Sequence, residues 1–215
     1  MPPSDLPDDL FDPQSRSRIT YSKLLVLEGF SACQFFKALL RQLNLLEEIE
    51  IRNFGGINDL SKYLKTLRGI AGFSGVTSLG IVRDAEKDAS SAFKSICRSL
   101  SVRNLPAPSQ PGTPADGRPR VSVFILPDCE SPGMLETLCL RAVAEDPAIT
   151  CVEEYLACLQ RKGVPTTGNV TKARLHTFLA SRKEPDLLLG QAAHEGYWLW
   201  DNPAFDQLKE FLRTL

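Results

Sequence analysis

The chain has 215 residues, 43% hydrophobic and 24% charged, enough apolar material for one domain of ordinary or slightly large size. Its 25 basic and 26 acidic residues leave a formal charge of -1, which excludes a global positive field; a nucleic-acid partner would need a local basic patch or a bridging metal. No run of 18 apolar residues occurs, which predicts no membrane span, and the acidic, proline-rich start MPPSDLPDDLFDP lacks the pattern of a signal peptide.

Residues 1 to about 20 read as a flexible lead-in. Lys23 to Leu27 is a short apolar run, the mark of a strand buried on both faces, and it ends at Glu28-Gly29. A helix follows, with Ser31 and Gln34 at capping-box spacing and Phe36, Leu39, Leu40 and Leu43 at helical intervals. Ile49 to Phe54 reads as a second strand ending at Gly55-Gly56. Asn58 or Asp59 can cap the next helix, which carries Leu60, Leu64 and Leu67 on its inner face. Thr77 to Arg83 is a third strand, followed by Asp84-Ala85-Glu86-Lys87-Asp88 and a helix lined by Ala89, Ala92, Phe93, Ile96 and Leu100. Three strand–helix units in series predict an α/β fold with a mostly parallel sheet and right-handed crossovers.

Residues 101 to 119 hold five prolines and two glycines and read as a loop or tether. Val121 to Leu126 is a fourth strand, ending at Pro127-Asp128. The remainder is mainly helical, with apolar patterns at Leu135, Leu138, Cys139 and Ala142, at Val152, Tyr155, Leu156 and Leu159, at Leu175, Phe178 and Leu179, and from Phe205 to Leu215. The cysteines Cys33, Cys97, Cys129, Cys139, Cys151 and Cys158 form no CxxC pair and read as buried, reduced thiols. His176 and His194, the only histidines, read as surface or structurally satisfied residues, so a zinc site lacks partners. Reduced thiols without an export signal predict a cytoplasmic protein.

In an open parallel sheet, ligands bind outside the carboxyl ends of the strands. Glu28 follows the first strand, Gly55 and Gly56 the second, Asp84, Glu86 and Asp88 the third, and Asp128 and Glu130 the fourth. Carboxylates thus follow three of the four strands. Asp84 and Glu86 are two apart and face one side if the backbone stays extended. Such a cluster is stable around a cation, or when some members take up protons, and hard oxygen donors suit magnesium, manganese or calcium. Plainer readings exist: Asp88 as a helix cap, Asp128 and Glu130 as loop residues, Gly55-Gly56 as a tight turn rather than a place where backbone approaches a phosphate. Neither GxGxxG, nor a phosphate loop ending in Gly-Lys-Ser/Thr, nor a GxSxG elbow occurs.

Leu25-Val26-Leu27-Glu28-Gly29, then Phe54-Gly55-Gly56, then Ile81-Val82-Arg83-Asp84-Ala85-Glu86 resembles the toprim domain of topoisomerases, primases, small ribonucleases and overcoming-lysogenization-defect (OLD) nucleases. The likeness covers roughly residues 22 to 127. Beyond it, Ser131-Pro132-Gly133-Met134-Leu135-Glu136-Thr137-Leu138-Cys139, Gly190-Gln191-Ala192-Ala193, Trp198 and Pro203-Ala204-Phe205 are similar to toprim-related domain-of-unknown-function families of bacteria. The resemblance implies a toprim-like, Rossmann-like four-stranded sheet flanked by helices, with a helical C-terminal extension, in a single domain over 21–215. Its core would be 22–127, including the proline-rich loop 101–119, and its helical part 128–215. It implies that Asp84 and Glu86 hold magnesium or manganese and that Glu28 is a metal ligand or general acid/base. Glu136 would serve a second metal, and Lys172 would stand near the reacting phosphate. The family's second aspartate is Glu86 here, one methylene longer, which changes its reach to the metal.

The function implied is magnesium-dependent phosphodiester hydrolysis on nucleic acid, with Arg83 or Lys172 steadying the phosphate. The alternative is a non-catalytic binding or interaction module in phage defence, with a protein partner or a second copy of the chain. Trp198 and Trp200 then read as a partner surface, or otherwise as a packed core edge.

Overall fold

The computed structural model describes residues 18–56, 59–165 and 168–215. Four strands form one sheet: β1 (Lys23–Leu27), β2 (Ile49–Asn53), β3 (Ser78–Asp84) and β4 (Arg120–Leu126). All pairs are parallel and the order is β2-β1-β3-β4. The α/β fold with a parallel sheet is therefore as the alternating strand and helix patterns predict. From β1 the chain steps one way to β2 and then crosses to the other side for β3. The crevice between the carboxyl ends of β1 and β3 is thus a topological switch point, where open α/β sheets bind ligands.

Helices α1 (Phe30–Gln42), α2 (Leu60–Leu67) and α3 (Ala89–Val102) connect the strands in turn. Period-two alternation sorts the strand side chains onto two faces. Leu24 and Val26 join Leu79, Ile81, Val121, Val123 and Ile125 beneath α2 and α3. Leu25, Leu27, Val82, Phe124 and Leu126 pack on the opposite face, against α1 and the helices of the second half. Those helices are α4 (Leu135–Ala142), α5 (Pro147–Arg161), α6 (Val170–Ala180), α7 (Leu189–His194) and α8 (Asp206–Arg213). Both faces of the sheet are covered, which is why β1, β3 and β4 read as largely apolar runs, whereas the edge strand β2 carries Glu50, Arg52 and Asn53.

Helix α7 contains the segment Gly190-Gln191-Ala192-Ala193, which the apolar patterns left without an element. It lies directly on α1. A Cβ built on Gly190 would stand 2.4 Å from Gln34 Cβ and 2.9 Å from the Ser31 carbonyl oxygen, so only glycine permits this approach. Trp198 is buried, and its indole N–H donates to the Cys139 carbonyl at 3.2 Å. Trp200 packs edge-on against Phe35 with ring centroids 5.3 Å apart. Both tryptophans belong to the core and its edge.

Several expectations change. Ile19, assigned to the lead-in, is buried and its N–H donates to the Ala71 carbonyl, so the fold takes hold of the chain before Tyr21. The rest of that lead-in lies outside the described residues. Ser31 is not the cap of α1: the helix begins one residue earlier, with Gly29 at the N-cap and no side-chain cap. Asp59 does occupy the N-cap of α2, but its carboxylate accepts from the Gly56 N–H instead of the helix; Asn58 is outside the described residues. The loop after α3 does not dangle: its Gly112 and Ala115 N–H groups donate to the Val123 and Val121 carbonyls, covering the outer edge of β4. On α5 only Val152 is buried and Tyr155 is exposed, so that helix shows the core a narrower face than its pattern suggests. All six cysteines are free thiols; Cys33 and Cys139 are buried and Cys97 and Cys129 half-buried, but Cys151 and Cys158 are exposed on α5. Among the described residues, no helix is long and apolar enough to cross a membrane.

Candidate active site

A cleft of about 360 Å³ opens at the switch point. Its lining includes Glu28, Gly29, Ser31, Gly55, Gly56, Arg83, Asp84, Glu86, Glu136 and Lys172, so the residues that the resemblance implies for the site all reach it, while Asp88, Asp128 and Glu130 do not. Strand register brings the first group together. Leu27 pairs with Val82, so the next step sets Glu28 beside Arg83 on the same face of the sheet. Arg83 Nε lies 3.7 Å from Glu28 Oε2. Asp84, one residue on, points to the other face and meets the start of α4. There the Leu135 N–H donates to its Oδ1 at 3.0 Å. The N-terminus of a helix thus faces Asp84, an arrangement that suits an acceptor.

The helical half supplies two more charges. Glu136 stands in the first turn of α4, and Lys172 sits near the start of α6, whose N-cap Asn169 accepts from the Lys172 N–H. Lys172 Nζ lies 3.7 Å from Glu136 Oε1.

Glu86 arrives by a route the sequence did not indicate. Its φ is +56°, in the left-handed region, so the extended-backbone argument that aligned it with Asp84 fails. Its N–H and carbonyl instead exchange hydrogen bonds with Gly133 at 2.8 and 2.9 Å. This two-residue bridge ties the loop after β3 to the segment entering α4. Gly133 has φ +139°, and a Cβ there would stand 2.7 Å from Thr137 Oγ1. The Met134 N–H donates to that same hydroxyl. Glu86 is exposed at the mouth of the cleft, whereas Asp84 is half-buried within it.

Electrostatics follow from this crowding. Burial pushes the Asp84 carboxyl up to about 7; the negative charge of Glu136 adds to this, the Leu135 N–H opposes it, and Glu28 and Glu86 add further. Burial also raises Glu28, with Arg83 opposing, Glu86 adding and Lys172 opposing. The carboxyls therefore sense one another across the cleft.

The remaining acidic residues serve the backbone. Asp88 caps α3 by accepting from the Ser90 N–H, and the hydrogen bond from the Ser91 hydroxyl, more than any other contact, holds it below the usual carboxylate range. Asp128 accepts from the Glu130 and Ser131 N–H groups and from Arg141 Nη1 at 2.6 Å. Burial alone would raise it, but these bonds outweigh burial and hold it well below the usual range. Neither Asp128 nor Glu130 lines the cleft. His194 contacts Arg41 and Gln34 through its two ring nitrogens and is structurally satisfied, and His176 is exposed.

Asn53 is a residue that sequence reasoning missed. Its side-chain oxygen accepts from the Gly29 N–H at 3.0 Å and the Gly55 N–H at 2.8 Å, joining the turns after β1 and β2. The signal was present: an asparagine two residues before a glycine is an Asx turn. Since the Gly55 N–H donates to Asn53 and the Gly56 N–H to Asp59, both donors are engaged inside the loop. These glycines form a tight turn on the wall of the cleft.

Among the described residues, no three Asp, Glu, His or Cys side chains stand together at the separation that encloses an ion. The donor chemistry still fits a hard cation. The buried Glu28 Oε2 has no hydrogen-bond partner among the described residues, and every acidic donor in the cleft is a carboxylate. Magnesium is commonly held through one or two carboxylates with water completing its shell. Asp84, Glu28 and Glu136 are half-buried donors, with Glu86 exposed beside them.

A family model described as "Protein of unknown function (DUF3226)" matches residues 22–215. The chain belongs to this family. No curated protein and no solved structure matches it. The family match runs from the residue before β1 to the last residue, so it takes in the strand ends that carry Glu28 and Asp84 as well as the helices that carry Glu136 and Lys172. The family's description assigns no chemistry.

Proposed function

We propose that the chain is a toprim-like enzyme that hydrolyses phosphodiester bonds of nucleic acid with the help of magnesium or manganese. The observation that carries this reading is Asp84: a half-buried carboxyl at the switch point beside Glu28, Glu86 and Glu136, whose proton affinity is raised toward neutrality by burial first and by their negative charges second. Groups perturbed in this way cluster at functional sites. The strand–Glu-Gly, Gly-Gly, strand–Asp-x-acidic order seen in the sequence supports the same reading.

In this reading Asp84, Glu28, Glu86 and Glu136 would hold the cation, which supplies charge neutralisation at phosphate oxygens and acidifies a bound water. The chain's own residues divide the remaining work. Glu28, raised by burial, is placed to accept the proton of the attacking water. Lys172 at the rim and Arg83 on the floor would hold the phosphate oxygens. The Leu135 N–H fixes the Asp84 carboxyl in place. Glu86, held by the Gly133 bridge, brings its longer side chain from the mouth of the cleft.

The test is calorimetric titration of magnesium and manganese into wild type and Asp84→Ala, followed by a panel of DNA and RNA substrates. The expected result is metal binding lost in the variant, with cleavage falling by about a hundredfold or more, as when several kcal/mol of charge stabilisation disappears. Full nuclease rate in Asp84→Ala would refute it. One observation favours a second reading, a binding module without catalysis: the described carboxylates are not gathered at ion-enclosing distances. Tight metal binding with no cleavage of any nucleic acid would select that reading.

A further inference from the structure

Arg83 and Glu28 form an unusual pair. The arginine is nine-tenths buried, with 7% of its surface exposed, and it lines the cleft. Its Nε and the facing Glu28 Oε2 are both buried, and neither has a hydrogen-bond partner among the described residues. They stand 3.7 Å apart, beyond the about 2.7–2.9 Å of a charge-assisted hydrogen bond. Two opposite charges have been taken out of water without making the bond that would offset the cost. Orphaned buried groups in a folded protein call for an explanation, and a missing ligand is one.

A second pair lies at the rim of the cleft. Lys172 and Glu136 also stand 3.7 Å apart, too far for a hydrogen bond, but the lysine side chain is half exposed and reaches water. The pair taken out of water without its bond is Arg83–Glu28, and Lys172 adds a second cation beside it. Helix α1 opens on the same cleft through Ser31 and Ala32, with no side-chain cap and no acidic residue in its first turn. That end of the cleft therefore presents positive character.

We propose that the cleft takes a divalent cation and a phosphate group as one cooperative unit, the phosphate drawing Arg83 away from Glu28 and releasing that carboxylate to the metal. Metal alone must compete with Arg83 for Glu28, and phosphate alone must compete with Glu28 for Arg83. Together, each removes the competitor of the other. Linkage makes the effect reciprocal: the factor by which magnesium tightens phosphate equals the factor by which phosphate tightens magnesium. The inference rests on the function proposed above and adds to it a rule for how the site fills.

The experiment uses the full chain with inorganic phosphate and magnesium as probes. Dissociation constants are measured by calorimetry for each probe alone and in the presence of the other. In parallel, the Arg83 Nε–Hε signal is followed by ¹H–¹⁵N correlation spectroscopy. The expected result is a reciprocal tightening of about tenfold, within the usual range for coupled sites, with the Arg83 signal moving on phosphate addition and moving further when magnesium is present. Arg83→Gln is expected to weaken phosphate at least tenfold, to bind magnesium alone several-fold more tightly because Glu28 has lost its rival, and to bring the coupling factor to about one. Arg83→Lys, which keeps the charge, guards against loss of folding and should restore part of the coupling. Wild-type constants that are the same with and without the other probe would overturn the inference while leaving the metal site intact. Absence of magnesium binding under every condition would overturn the underlying reading as well.

Discussion

Replacing Asp84 by asparagine separates the cost of this site from its use. In the metal-free protein the folded state holds the Asp84 proton up to about pH 7, whereas the unfolded chain releases it near 3.8, the ordinary value for an aspartate. The sign follows: with the folded value raised, the stabilisation from the protonated carboxyl is complete below about pH 4 and is lost as pH rises to 7. Asparagine has the same shape and offers the same acceptor to the Leu135 N–H, but it does not ionise. Between pH 5 and pH 8 the wild type should therefore lose about 2–3 kcal/mol that the variant keeps, taking about 1.4 kcal/mol per unit over the two units from pH 5 to the folded value. For a chain of this length that corresponds to about 5–10 °C in relative melting temperature. The assay is thermal unfolding by circular dichroism in the presence of a chelator at pH 5 and pH 8. Comparing the two proteins at each pH cancels the other titrating groups. The variant's advantage over the wild type should be larger at pH 8 than at pH 5 by that amount; parallel curves would show that Asp84 ionises freely and would remove the basis for a poised carboxyl.

Two further outcomes test the fold. Gly190→Ala places a Cβ against Gln34 Cβ and the Ser31 backbone, so it should cost about 1–3 kcal/mol by urea denaturation, the range for overpacking, whereas the same change at exposed Gly168 should not. In native protein, iodoacetamide should modify Cys151 and Cys158 first and reach Cys33 and Cys139 only on unfolding, read by mass spectrometry of labelled peptides; burial holds the Cys33 thiol near 12, which further suppresses its reaction.

The sheet was legible because its strands are buried on both faces, and continuous runs such as Leu24-Leu25-Val26-Leu27 admit few other readings. Glu28 and Asp84 were legible for the same reason: once a run is a parallel strand, the residue at its carboxyl end is placed. Glu86 was half legible, since its membership of the cleft follows from the loop but its left-handed backbone depends on Gly133, 47 positions later in the chain. Glu136 and Lys172 came from resemblance, because no local spacing links a helix start after β4 to one after α5. Asp128 looked like the fourth member of the acidic set and is a loop brace, a difference decided by Arg141, which the apolar pattern of α4 does not mark. Helix α7 escaped notice because six residues with two alanines and a glycine make too short a pattern to have a period.

The charges lining the cleft also set how much cation it needs. Glu28, Asp84, Glu86 and Glu136 face Arg83 and Lys172, which leaves two uncompensated negative charges when all six are ionised. One divalent ion neutralises that excess. A proton on Asp84 removes half of it, and burial, with the neighbouring negative charges adding to it, raises the proton affinity of this carboxyl to about 7. Proton and metal therefore compete for the same place, and metal affinity should weaken as pH falls below 7, when the proton must first be displaced. A second divalent ion would leave the cleft positive unless an anion came with it. The charge count and the orphaned Arg83–Glu28 pair thus point in the same direction: beyond the first cation, the cleft fills with metal and phosphate together.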